Sequence, residues 1–219
     1  KSNSVSVAPI VALNRGNSVA NAIVSGSTLR SVADNIEVSA RDISSIEADV
    51  LAATAALSVS GSGASLAVSV AISFARNNLT SNVKAQVLSS QVNAEDPLSP
   101  VADKGKLTVS ALRDASISAS SIAAAAAVAV SGGGSAPAVA GGGAVAVNKV
   151  LGGTVADVTG SVLSADHIVI DADTTGEIDA EVIAAAVAIA LSGSTSVGVA
   201  LGIAVAENYI GFTHDISGI

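Results

Sequence analysis

The sequence predicts an all-β fold, a repetitive β-solenoid or stacked β-sheet array with an Ala/Val/Gly-rich core and an elongated shape. Three observations predict it. First, an apolar ribbon of small residues recurs around a Ser/Gly corner: residues 50–74 about Ser60-Gly61-Ser62-Gly63, residues 122–149 about Gly132-Gly133-Gly134, and residues 182–209 about Ser192-Gly193. Repeats of this length are the signature of stacked architectures. Second, the copies align in register. Ile36-Glu37-Val38 falls on Leu107-Thr108-Val109 and on Ile168-Val169-Ile170, and the same offsets carry through to Ser60-Gly61, Ser131-Gly132 and Ser192-Gly193 without an insertion. Third, the chain has two Phe, one Tyr and no Trp or Met, so Ala and Val must exclude water, and the backbones must lie close together.

Taken in order, the chain reads as one domain, residues 1–219, with approximate units 14–73, 74–147 and 148–207 and partial units at both ends. Each unit reads as four segments. The first is the stretch 155–163. The second is 168–172, where Ile168, Ile170 and Ala172 alternate with Val169, Asp171 and Asp173, the period-two pattern of a half-buried strand. Its partner at 178–180 follows a turn at Thr174-Thr175-Gly176. The third and fourth segments are the apolar arms, each about ten residues long, the length of an ordinary strand. The alternation Ala127-Val128-Ala129-Val130 puts apolar groups on both faces and predicts burial on both sides. Val, Ile, Ser and Gly favour strand over helix throughout, and Ala184-Ala185-Ala186 is where helix propensity competes most.

Asn14, Asn148 and Asn208 close equivalent units and are placed to ladder with one another or to bond the turn backbone; the degenerate copy at 73–79 offers Ser73 there. Pro137 is assigned to the long Gly corner, where no ladder bond is needed. The segment 93–106, with two Pro and a run of charges, reads as a surface loop.

Composition excludes several classes of function. The formal net charge is -8, which speaks against nucleic acid and against anionic membrane surfaces. Cysteine is absent, so disulfides, thiolate metal sites and cysteine nucleophiles are excluded. Lys1 opens a polar run rather than an apolar leader, and the missing initiator Met suggests a piece cut from a longer chain. Residues 115–148 carry no charge, yet a Gly corner interrupts them where a spanning helix must be strongest. Outer-membrane barrels need aromatic girdles, which this composition cannot supply. No membrane insertion is expected.

Candidate sites are few. Asp171, Asp173 and Asp179 flank Gly176 and superficially suggest an oxygen-ligand calcium loop, but a twelfth-position Glu is missing, since Val182 stands there. A solvated strand face is the preferred reading, and no catalytic residue, metal or cofactor is assigned. His167 and His214 occupy non-equivalent places and read as surface histidines. The Gly triplets lack the Lys-Ser/Thr of a phosphate loop, and no Ser sits in a nucleophile elbow.

The segment G-A-V-A-V-N-K-V-L-G-G-T-V-A-D-V, followed by S-V-L-S-A-D-H-I-V-I-D-A, resembles the repetitive regions of large bacterial surface proteins, the filamentous-haemagglutinin-like and leukotoxin-like filamentous adhesins. The resemblance covers the whole chain through rhythm and composition. It implies a β-solenoid, export to the cell surface, and a structural or adhesive extracellular role without catalysis. The partners it implies are host or neighbouring cell surfaces or matrix components. Open strand edges add copies of the chain itself, joined end to end or side by side, as a fibre-forming subunit would be. The alternative is a ligand-binding surface module for glycan, calcium or ice. No regular Thr ladder and almost no aromatic platform is present to favour it.

Overall fold

The computed structural model describes residues 1–32, 34–94 and 105–212, and the fold is an all-β parallel solenoid. The first turn is β1 (Ser2–Ser25), β2 (Thr28–Arg30) and β3 (Ile36–Ser60). The second is β4 (Ser65–Leu88), β5 (Gln91–Asn93) and β6 (Lys106–Ser131), and the third is β7 (Ala136–Thr159), β8 (Val162–Ser164) and β9 (His167–Ser192). A fourth opens with β10 (Ser196–Gly211). Stacking these turns makes two long sheets, A (β1-β4-β7-β10) and C (β3-β6-β9), and a short sheet B (β2-β5-β8) that joins them at one end. All pairings are parallel.

The register is the one the repeats predict. Ile36 pairs with Leu107 and Leu107 with Ile168, and the pairing runs unbroken to Ser60, Ser131 and Ser192. The Ser/Gly corners are the turns that pass the chain from sheet C to the next strand of sheet A.

Strand length differs from expectation. Segment two, its partner and the first arm are one strand: β9 runs from His167 to Ser192 straight through Thr174-Thr175-Gly176, so no turn interrupts it. Inward Thr174 and Gly176 make the sequence look broken there, but Thr174 is hydrogen-bonded to Thr154 on β7 across the layer, and the backbone ladder continues. At about 3.3 Å per residue such strands span about 80 Å, whereas a stack of four strands rises only ~15 Å. The long dimension therefore lies along the strands. Pro137 also differs from expectation. It is the second residue of β7, paired with Val197, rather than part of the corner. Of the loop at 93–106, residues 95–104 lie outside the described residues, as does His214.

The core is a thin layer between sheets A and C. Next to the corners it is almost pure alanine, with Ala52, Ala56, Ala67, Ala71, Ala123 and Ala138 buried together. Near sheet B it uses larger groups, among them Val38, Val83, Val87, Leu107 and Val109. The alanine half brings the sheets close. A Cβ on Gly142 would lie 2.6 Å from the Ala185 carbonyl oxygen across the layer.

The expectation of burial on both faces is corrected. In β6 it is Ala127 and Ala129 that are buried, while Val128 and Val130 point outward and are half-buried. Small residues face in because only they permit the close approach, and the larger aliphatics are left outside.

Candidate functional site

Sheet A and sheet C each show an outer face divided into two halves. Near the corners both are apolar. On sheet A, Val5, Val7, Val11, Val199, Leu201 and Ile203 are exposed. On sheet C, Leu51, Leu57, Val59, Val187, Ile189 and Leu191 are exposed, Leu57 by 64%. Monomeric soluble proteins rarely leave apolar patches of this extent uncovered.

The boundary falls at one level on both faces. Inside the layer, Asn14, Asn77, Asn148 and Asn208 form a ladder on sheet A, each amide nitrogen donating to the next carbonyl oxygen at 2.8, 2.8 and 2.9 Å. The ladder expected from Asn14, Asn148 and Asn208 is thus complete. Its fourth member is Asn77, and Ser73 instead lies level with Ile10 and Ala144. Just outside the ladder stand Arg15, Arg76 and Lys149, and the first two border a hollow of about 360 Å³ with Leu13, Asn14 and Asn78. On the opposite face, at the matching level, Glu47, Glu177 and Asp179 border a hollow of about 310 Å³ with Ser45, Ser116 and Ser118. Beyond this boundary both faces are mixed, with Val19, Ile23 and Ile43 exposed among polar and charged groups. Sheet C is acidic, and β9 alone exposes Asp171, Asp173, Glu177, Asp179 and Glu181.

A second polar feature lies inside the layer. Asp42 on β3 stands in register with Arg113 on β6. Ser18 Oγ donates to Asp42 Oδ1 at 2.7 Å, Ser44 Oγ donates to the same oxygen at 2.9 Å, and Ser81 Oγ donates to Oδ2. Burial pushes the Asp42 carboxyl up, but the three hydroxyls and the Arg113 charge outweigh it and hold the group below its ordinary value. Arg113 is 2% exposed, its Nε has no hydrogen-bond partner, and burial lowers its pKa against the opposing pull of Asp42. Gly152 makes room for it. Its φ is +146°, and a Cβ there would meet the Ser81 carbonyl at 1.7 Å and Arg113 Nη1 at 2.7 Å. The repeat offset already places Asp42 over Arg113, so this pair was readable from the sequence alone.

The calcium candidates are not brought together. Asp171, Asp173 and Asp179 are all exposed on the outer face of β9, and eight residues of extended strand put Asp171 about 26 Å from Asp179. Among the described residues no group of three or more His, Cys, Asp or Glu is arranged to hold a metal ion. His167 is surface-exposed, with Nε2 3.2 Å from Asp166 Oδ2. No described helix is long and apolar enough to cross a membrane.

Comparison with protein-family models, with curated proteins and with solved structures finds no match for this chain. The outer faces are what sequence reasoning missed. The alternation of small with branched residues marks one face as close-packed and the other as bulky, but it does not show that the bulky face is left uncovered.

Proposed function

We propose that this chain is a structural segment of an extracellular, surface-displayed repeat protein, with adhesion or fibre building as its work and no catalysis. One observation carries the reading: the turns stack in an unbroken parallel register, each strand pairing with its counterpart in the next turn. β1 and β3 are the edges at one end, and β10 and β9 are the edges at the other. Such edges present rows of unpaired N–H and C=O groups to any strand of like register. Added turns extend the stack by the same nearest-neighbour contacts that hold it together. The partners that suit this role are host or neighbouring cell surfaces, matrix components, and further turns of the same kind.

Electron microscopy and fibre diffraction of the purified chain test it. The expected result is rows that grow in the stacking direction with a repeat of about 4.8 Å along the row. Isolated particles at every concentration would remove end-to-end joining from the reading.

A further inference from the structure

We infer that the two outer faces are one heterologous interface: sheet A of one copy packs on sheet C of the next, displaced by translation across the layer. This joining is lateral and does not rest on the open strand edges.

Charge is the first support. Across the layer Ser73 and Ser121 are hydrogen-bonded and Ser81 donates to Asp42, which fixes the levels of the two sheets. Ser121 is in register with Val50, so outward Arg76 shares the level of Glu47, and Asn78 that of Ser45. Across the turns, Arg15, Asn78 and Lys149 form one row on sheet A, and Ser45, Ser116 and Glu177 form the matching row on sheet C. Translation sets Lys149 over Glu177. Arg76 falls over Ser118, between Glu47 and Asp179, and Arg15 falls over Ser45, next to Glu47 on the same face. Each cation of the boundary thus lies over an acid of the next copy or beside one.

Shape is the second support, and it is independent of charge. Near the corners sheet C carries a trough of about 450 Å³ lined by Ala53, Ala55, Ala124, Ala126, Ala185 and Val187. Thr54 and Ser69 are hydrogen-bonded across the layer, so the level of this trough on sheet A is that of Val5, Val7, Val68 and Val70. Those side chains form a ridge. The ridge thins in the third turn, where Gly141 takes the place of Val7 and Val70 beside Val139. There the trough itself narrows, because Val187, 55% exposed, replaces Ala55 and Ala126 of its row. Neither Gly141 nor the next outward residue, Gly143, is needed as glycine by its own chain. A Cβ on Gly143 would meet nothing within 4 Å, and one on Gly141 would touch only Val70 Cγ2 at 3.9 Å. Glycine inside a strand weakens it and often marks where another backbone or a ligand approaches closely.

Area is the third. A face of about 80 Å by about 14 Å offers on the order of 1,100 Å² per partner, above the ~800 Å² of a standard stable interface.

The test uses the full 219-residue chain in sedimentation and wide-angle scattering. The unaltered chain is expected to form lateral stacks with about 10 Å between facing sheets. Reversing sheet A (Arg15→Glu, Arg76→Glu, Lys149→Glu) or sheet C (Glu47→Lys, Glu177→Lys, Asp179→Lys) is expected to raise the concentration needed for stacking by about ten-fold or more. Both sets in one chain restore it, because acid then faces base again. Gly141→Leu with Gly143→Leu leaves the thermal midpoint of the dilute chain unchanged or higher and abolishes stacking. The inference is overturned if single-face reversal leaves stacking intact, if the double reversal fails to rescue, or if the glycine variant loses stability as a dilute chain. It is also overturned if the chain stays monodisperse in solution yet floats with phosphatidylcholine vesicles, which would assign the apolar halves to a bilayer. Growth along the strand edges is unmoved by every one of these substitutions, so the two modes of assembly are told apart.

Discussion

Asp42 shows how a single charge is held inside a layer made mostly of alanine and valine. Three hydroxyls and a guanidinium surround it, and their sum favours the ionised carboxylate despite the burial. The linkage follows from that direction. A carboxyl whose folded pKa lies below its unfolded value stabilises the fold above the unfolded value, about 3.9, and that contribution is lost as pH falls through the folded pKa. Asp42→Asn is therefore expected to lower stability at neutral pH by about 1.5–3 kcal/mol, the range for hydrogen bonds to a charged group. The gap to the unaltered chain should narrow as the pH drops below about 4. Urea unfolding followed by circular dichroism at pH 7 and pH 2.5 measures both values, and a gap that stays constant across that range would show that the carboxylate is not what the hydroxyls hold.

Among elements, β7 shows why one strand carries glycines of two kinds. Gly142 faces inward, where a side chain would strike the Ala185 backbone, while Gly141 and Gly143 face outward into open space. Gly142→Val is expected to force the sheets apart and cost about 1–3 kcal/mol, as overpacking does. A lowered thermal midpoint in Gly142→Val beside an unchanged one in Gly141→Val checks the assignment of faces. The same contrast explains what the sequence could and could not convey. Register was legible because Ile36, Leu107 and Ile168 begin copies that align without a gap, and the Asn ladder followed from it. Strand length was not, since Asp42 and Thr174 interrupt the apolar alternation and find their partners, Ser18, Ser81 and Thr154, only across the layer. Nor was the open outer face. Ala127-Val128-Ala129-Val130 is apolar on both sides, and only the packing shows that Ala is chosen for proximity and Val is left uncovered. Asp171, Asp173 and Asp179 looked clustered in the sequence, and an extended strand draws them apart.

At the scale of the molecule, each turn touches only the turns above and below it, so stability is a sum over turns and their interfaces. Removing one turn should then shorten the stack without unravelling it. Deleting residues 65–135 joins Ala64 to Ala136 and brings β1 directly over β7 and β3 directly over β9, with Asn14 meeting Asn148 and Ile36 meeting Ile168. The buried pair is lost cleanly, because Arg113 leaves while Asp42 keeps Ser18 and Ser44. The shortened chain is expected to retain a strand-type far-ultraviolet spectrum and cooperative unfolding. Its urea m-value should fall roughly in proportion to the surface removed. A deletion that starts and ends five residues later removes the same length but splices β4 to β7 in the same register, and should behave alike. One that removes five residues fewer shifts the register by an odd number and turns every inward alanine outward, and should leave the chain unfolded. If the register-shifting deletion folds as well as the register-preserving one, the alternation of faces does not hold this stack together.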